Sequence, residues 1–141
     1  MGRSGYTDDY DDETNCLGLY RANVDRAIGG KRGQAFLREM AIALDAMPVK
    51  ELVADEIVRD ESHVCAIGSV AVARGIDVSD LDEYDAEAIG KTFGIAQAMA
   101  REIAFVNDDD FGSKKETPAE RWTRVRAWVS EHLSPTRKDA P

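Results

Sequence analysis

The sequence predicts a mainly α-helical fold, a compact bundle of about five or six helices, with a short β-hairpin as an option near residues 52–64. Three observations predict it. Apolar residues recur at helical spacing from Phe36 to Met47, Thr117-Pro118-Ala119-Glu120 has the form of a helix start, and small and branched residues run from Val64 to Ala73 before Gly75. A chain of 141 residues suits one domain around one hydrophobic core.

Residues 1–14 carry Asp8, Asp9, Asp11, Asp12 and Glu13 with almost nothing aliphatic to bury, which predicts an acidic flexible leader. Residues 15–134 make the single helical domain, and residues 135–141 a flexible tail. The domain opens with Leu17, Tyr20, Val24 and Ile28 at helical spacing, and Gly29-Gly30 stops that helix. After a turn over residues 29–33, the set Phe36, Leu37, Met40, Ala41, Leu44 and Met47 builds a second helix that Pro48 ends. A short loop between the two predicts that they pack as a hairpin.

Leu52, Val53, Ile57 and Val58 fit a short helix or a strand, and residues 59–62 form a polar turn. A buried helix follows from Val64 to Ala73 with Gly75 in the C′ position. Gly68 within it lets another backbone come close. An acidic loop from Asp77 to Glu87 leads into a short helix near residues 86–93. Ile95, Met99, Ile103 and Val106 mark the next helix, which runs out at Asn107-Asp108-Asp109-Asp110, where carboxylates oppose the macrodipole and so require solvation or pairing. The last helix has Thr117 as N-cap, Pro118 at its first position and Glu120 completing a capping box. Trp122, Val125, Val129 and Leu133 form its core stripe.

The net charge is −9, which opposes direct nucleic-acid binding because such affinity rests on cations neutralising phosphates. Acids concentrate in the leader, in the 77–87 loop and at residues 108–110, whereas Arg121, Arg124, Arg126, Arg137 and Lys138 make the C-terminal end basic. That distribution predicts an electrically polarised molecule and a protein partner with a basic surface, met by Asp77, Asp80, Asp82, Glu83, Asp85, Asp108, Asp109 and Asp110. The same acids would also serve solubility. An N-terminus without a secretory apolar stretch predicts cytoplasmic residence, and neither membrane association nor a cofactor is expected. A homo-oligomer is a further option.

Cys65 stands at the predicted start of a helix, where the dipole and free backbone N–H groups favour a thiolate, and His63 is two residues away. That pair, with Asn107 or Asp108 as a third member brought near by folding, is the candidate catalytic centre. Flanked by Val64, Ala66 and Ile67, the same cysteine also suits a small core position. Lys31 and Arg32, in the glycine-rich turn before the second helix, are an anion-binding candidate, although the turn lacks a Walker ending. Asn107, Asp109 and Gly112 begin a calcium-loop pattern that fails where Phe111 and Pro118 replace oxygen ligands. No histidines or cysteines are paired at zinc spacing, so no metal is expected.

Gly2-Arg3-Ser4-Gly5-Tyr6 followed by acids, Gly33-Gln34-Ala35-Phe36-Leu37-Arg38-Glu39-Met40, Val64-Cys65-Ala66-Ile67-Gly68-Ser69-Val70 with Ala73-Arg74-Gly75, Phe93-Gly94-Ile95-Ala96 and Asn107-Asp108 together resemble a set of small bacteriophage and prophage proteins. The Cys-Ala-Ile-Gly-Ser stretch, with the later Asn-Asp and Thr-Pro-Ala-Glu, is also similar to a wider group of small actinobacterial and phage domains. The resemblance implies a phage origin and a helical fold, and it carries no catalytic residue across. It favours a non-enzymatic accessory protein acting in the bacterial host cell on a host or phage macromolecule, such as an antagonist of a host defence system of the anti-CRISPR kind. A cysteine-dependent enzyme centred on Cys65 and a virion component are the alternatives.

Overall fold

A computed structural model describes residues 3–4, 16–60, 62–108 and 115–134. Among these the chain forms six helices and a two-stranded sheet: α1 (Cys16–Gly29), α2 (Lys31–Ala46), β1 (Val58–Asp60), β2 (His63–Val64), α3 (Ala66–Arg74), α4 (Ala86–Phe93), α5 (Gln97–Asp108) and α6 (Pro118–His132). The helical bundle and the small hairpin are both present. The strands pair antiparallel, with Val58 opposite Val64 and Asp60 opposite His63, and a bulge lies between the two pairs. Most of the leader, Asp109, Asp110 and residues 135–141 lie outside the described residues.

Two helices form the middle of the bundle. α5 packs on α1, α3, α4 and α6, while α2 packs on α1, α3 and α6. Their apolar stripes make the core, with Leu37, Met40 and Leu44 from α2 and Met99 and Ile103 from α5 fully enclosed. Ile67 and Val70 of α3 and Val125 and Val129 of α6 close it from the sides. Each stripe repeats at three- and four-residue intervals, so each helix presents one continuous apolar face to the others.

The five-residue turn expected at residues 29–33 shrinks to Gly30 alone, since α1 ends at Gly29 and α2 begins at Lys31. Glycine at position 33 permits this close passage, as a Cβ there would sit 2.0 Å from the Ala27 carbonyl oxygen. Gln34 then ties the corner down. Its side-chain amide donates to the carbonyls of Ile28 and His132 and accepts from the Ser134 N–H. At Gly68 a Cβ would likewise meet the Ile57 carbonyl oxygen at 2.0 Å, so α3 lies directly against the backbone that leads into β1.

The helix ends follow their sequence signals. Gly75 and Gly94 both adopt left-handed conformations, with φ of 69° and 77°, and stop α3 and α4. The Thr117 hydroxyl accepts from the Glu120 N–H while the Glu120 carboxylate accepts from the Thr117 N–H, which completes the capping box of α6. Trp122 and Trp128 are half-buried against the core, and the Trp122 indole donates to the Leu44 carbonyl. No helix among the described residues is long and apolar enough to cross a membrane.

Candidate functional site

Cys65 is the N-cap of α3, in extended conformation, and its sulfur accepts from the Gly68 N–H at 3.4 Å. The residue is 0% exposed. A second donor reaches the sulfur from far away in sequence, because Arg3 places Nη1 3.6 Å from it. The same guanidinium forks onto Asp108 at the C-terminus of α5, with Nε 2.6 Å from Oδ2 and Nη2 2.8 Å from Oδ1. The Arg3 side chain is 2% exposed and the Asp108 side chain 15%, so this ion pair lies almost wholly inside the protein. Burial opposes the charge on Arg3, but the Cys65 sulfur and the Asp108 carboxylate outweigh it and hold the guanidinium pKa above its ordinary value.

Asn107 fixes the other side of this cluster. Its Oδ1 accepts from the Ala66 N–H at 3.0 Å, and its Nδ2 donates to the Val53 carbonyl and to Asp108 Oδ1, each at 2.9 Å. The Asp55 N–H also donates to Asp108 Oδ1. Asn107 was singled out in sequence as the first position of a failed calcium loop; here both ends of its side chain bind protein groups. A sequence signal for that role exists, because Asn107 stands four residues after Ile103 on the core-facing stripe of α5, where a polar side chain requires internal partners. Arg3 carries no such signal, and it lies in the segment read as a leader. At Arg3 and Ser4 the chain is buried, not detached.

The sequence-adjacent His63 is not part of this cluster. It lies exposed on β2 with Nδ1 2.8 Å from Asp60, and the Asp60 carboxyl is held below its ordinary pKa chiefly by that hydrogen bond. Among the described residues the hydrogen-bond partners of the Cys65 sulfur are Arg3 and Gly68. The sulfur therefore caps α3 and accepts from a guanidinium, and among the described residues no histidine or carboxylate hydrogen-bonds to it. Lys31 and Arg32 are exposed in the first turn of α2, whose N-cap Gly30 makes no side-chain bond. Among the described residues no three His, Cys, Asp or Glu side chains converge to hold a metal ion.

A different feature lies on the surface. A hollow of about 160 Å³ opens between the end of α2, the 47–49 segment and α3, lined by Ala43, Met47, Val49, Val64, Val72 and Ala73 among others. It shares Pro48, Ser62 and Val72 with a wider hollow of about 840 Å³ whose far wall is Ile76, Asp77, Val78 and Ser79. Val49, Val72 and Ile76 are exposed, so this is an apolar groove open to solvent. The acidic segment begins in its wall.

That segment is held by its own carboxylates. Asp77 accepts from the Ser79 N–H, Asp82 from the Tyr84 N–H and Asp85, the N-cap of α4, from the Ala88 N–H. Asp77 is kept below its ordinary pKa by its bonds to Ser79. Asp77, Asp80, Asp82, Glu83 and Asp85 form no ion pair with any described residue. Arg59, which lines the groove, pairs with Glu56, Arg74 of α3 forks onto Glu39, and Lys50 donates to the carbonyls of Asp45 and Met47. The groove thus combines exposed apolar side chains with one carboxylate in its wall, Asp77, from which the acidic segment continues.

Comparison with protein-family models, with curated proteins and with solved structures gives no match to this chain.

Proposed function

We propose that this is a phage-encoded binding protein, not an enzyme, which acts in the bacterial host cell by engaging a protein partner through the groove between α2 and α3 and the acidic segment beside it. The carrying observation is the junction of the two. An apolar hollow whose wall runs into carboxylates unpaired among the described residues fits a partner segment that buries apolar side chains and flanks them with Lys or Arg. Apolar contact would supply affinity, and charge would supply orientation and encounter rate. Antagonism of a host defence complex, whose nucleic-acid-binding surfaces are basic, is the role this chemistry serves best. The burial of Cys65 and its use as an N-cap weigh against a cysteine enzyme.

The test is capture of the partner from host cells by the full chain, followed by affinity measurement with two variants. Val72→Asp places a charge in the groove at an already exposed position. Asp80→Asn with Glu83→Gln removes two charges that make no hydrogen bond to the described residues. Val72→Asp is expected to abolish binding, and the double variant to weaken it about tenfold at low ionic strength while flattening its salt dependence. Binding that survives Val72→Asp, or an affinity indifferent to salt, would overturn the proposal.

A further inference from the structure

The buried ion pair of Arg3 is built unequally from its two sides. Asp108 Oδ1 and the Cys65 sulfur, which receive two of the three guanidinium contacts, are also held by groups other than Arg3. Asp108 Oδ1 is held by the Asp55 N–H and by Asn107, Asn107 is held by Ala66 and Val53, and the Cys65 sulfur is held by the Gly68 N–H at the head of α3. These walls come from three parts of the fold, the start of α3, the end of α5 and the 53–55 segment, whose Val53 is buried and Asp55 exposed. The guanidinium itself arrives from the N-terminus, 62 residues from Cys65 and 105 from Asp108. A carboxylate already oriented for a two-pronged contact, with a polarizable sulfur for the remaining nitrogen, matches the planar fork of arginine and not the point charge of lysine.

The structure assigns to Asp108, Asn107 and Cys65 a guanidinium-binding site that the core builds in advance, with Arg3 as its intramolecular ligand. The site would take the side chain of an arginine, or a small alkylguanidinium, supplied separately from the rest of the chain. It is independent of the groove between α2 and α3, and neither assignment requires the other.

Side-chain replacement in the full chain tests this. Arg3→Ala deletes the guanidinium and leaves a space that ethylguanidinium fills with the missing two methylenes and the planar head. Arg3→Ala is expected to melt roughly 10 °C below the natural chain, because it leaves a buried carboxylate without its cation. Ethylguanidinium should restore much of that loss with saturation in the millimolar range, as suits a ligand of so few atoms. Ethylammonium at the same concentration should not, nor should ethylguanidinium stabilise the natural chain or the Arg3→Ala/Asp108→Asn double variant. An absence of rescue, or an equal effect on all three proteins, overturns the assignment. Should Arg3→Ala not fold by itself, it is refolded with each compound present; helical circular dichroism recovered with ethylguanidinium alone supports the site, and none recovered refutes it.

Discussion

At the scale of single residues, the chemistry of Cys65 is decided by what surrounds its sulfur. A thiol at a helix N-terminus can be a nucleophile, a cap or a core filler, and the sequence leaves all three open. Complete burial, the Gly68 N–H and the Arg3 guanidinium make it a cap that also receives a charge. Cys65→Ala removes the acceptor for both donors and is expected to cost about 2 kcal/mol in urea unfolding. Cys65→Ser keeps an oxygen in the N-cap place and should cost about half as much. Equal losses would mean that packing and not acceptance governs the position. Asn107 shows a related ambiguity, since a side-chain amide bonded on every side looks the same in sequence as one awaiting a cation.

At the scale of elements, periodicity and punctuation were highly legible. The α2 stripe, the Thr117 capping box and the Gly75 stop are each local, set by side-chain spacing and by backbone conformations that few residues adopt. The connection between α1 and α2 was not. Glycine-rich residues 29–33 have the composition of a loop, yet Gly33 is helical and bare so that α2 can pass the last carbonyls of α1. Gly33→Ala and Gly68→Ala each push a Cβ into a backbone oxygen that belongs to packed structure and not to a mobile side chain. Each is expected to destabilise the protein by about 2–3 kcal/mol, although alanine is the better helix former. Unfolding curves with midpoints unchanged or raised would show that the neighbouring segment yields.

At the scale of the whole molecule, Arg121, Arg124 and Arg126, part of the basic C-terminal end that the sequence suggests, are engaged with protein groups, while Arg137 and Lys138 lie outside the described residues. Arg124 binds Glu116 and the carbonyls of Val106 and Asn107, Arg121 binds the Leu52 carbonyl, and Arg126 forks onto Asp45 of α2. The carboxylate at the end of α5, unfavourable to the helix dipole, is met by Arg3. The α6 arginines thus have carboxylate partners, Arg121 and Arg124 sharing Glu116, whereas the acids of residues 77–85 form no ion pair with a described residue. The Arg74 hydrogen bonds hold the Glu39 carboxyl below its ordinary value of 4.5, and the Arg126 bonds hold Asp45 below 3.8. Lowered carboxylate pKa values mean stability that is complete above the unfolded-state values and lost as pH falls through the folded-state ones. Both pairs are largely exposed, so the effect is small. The unfolding midpoint is expected to fall as pH drops from about 5 to 3, and Glu39→Gln with Asp45→Asn to lose part of that slope. A slope identical in both proteins would place the acid sensitivity elsewhere.

The helical class, the order of the helices, the Thr117 capping box and the Gly75 stop were determined by the sequence alone, because each depends on residues within a few positions of one another; between helix and strand at residues 52–64 the packing chose the hairpin, and it moved the start of α3 from Val64 to Ala66. Only the tertiary structure decided that Arg3, Cys65, Asn107 and Asp108 are one cluster, that the α6 arginines are occupied, and that an apolar groove adjoins the acidic loop. Those facts depend on groups up to 105 residues apart in the chain. Spacing specifies which face of a helix is buried, but the partner of a polar group on that face is chosen by the packing that brings distant segments together.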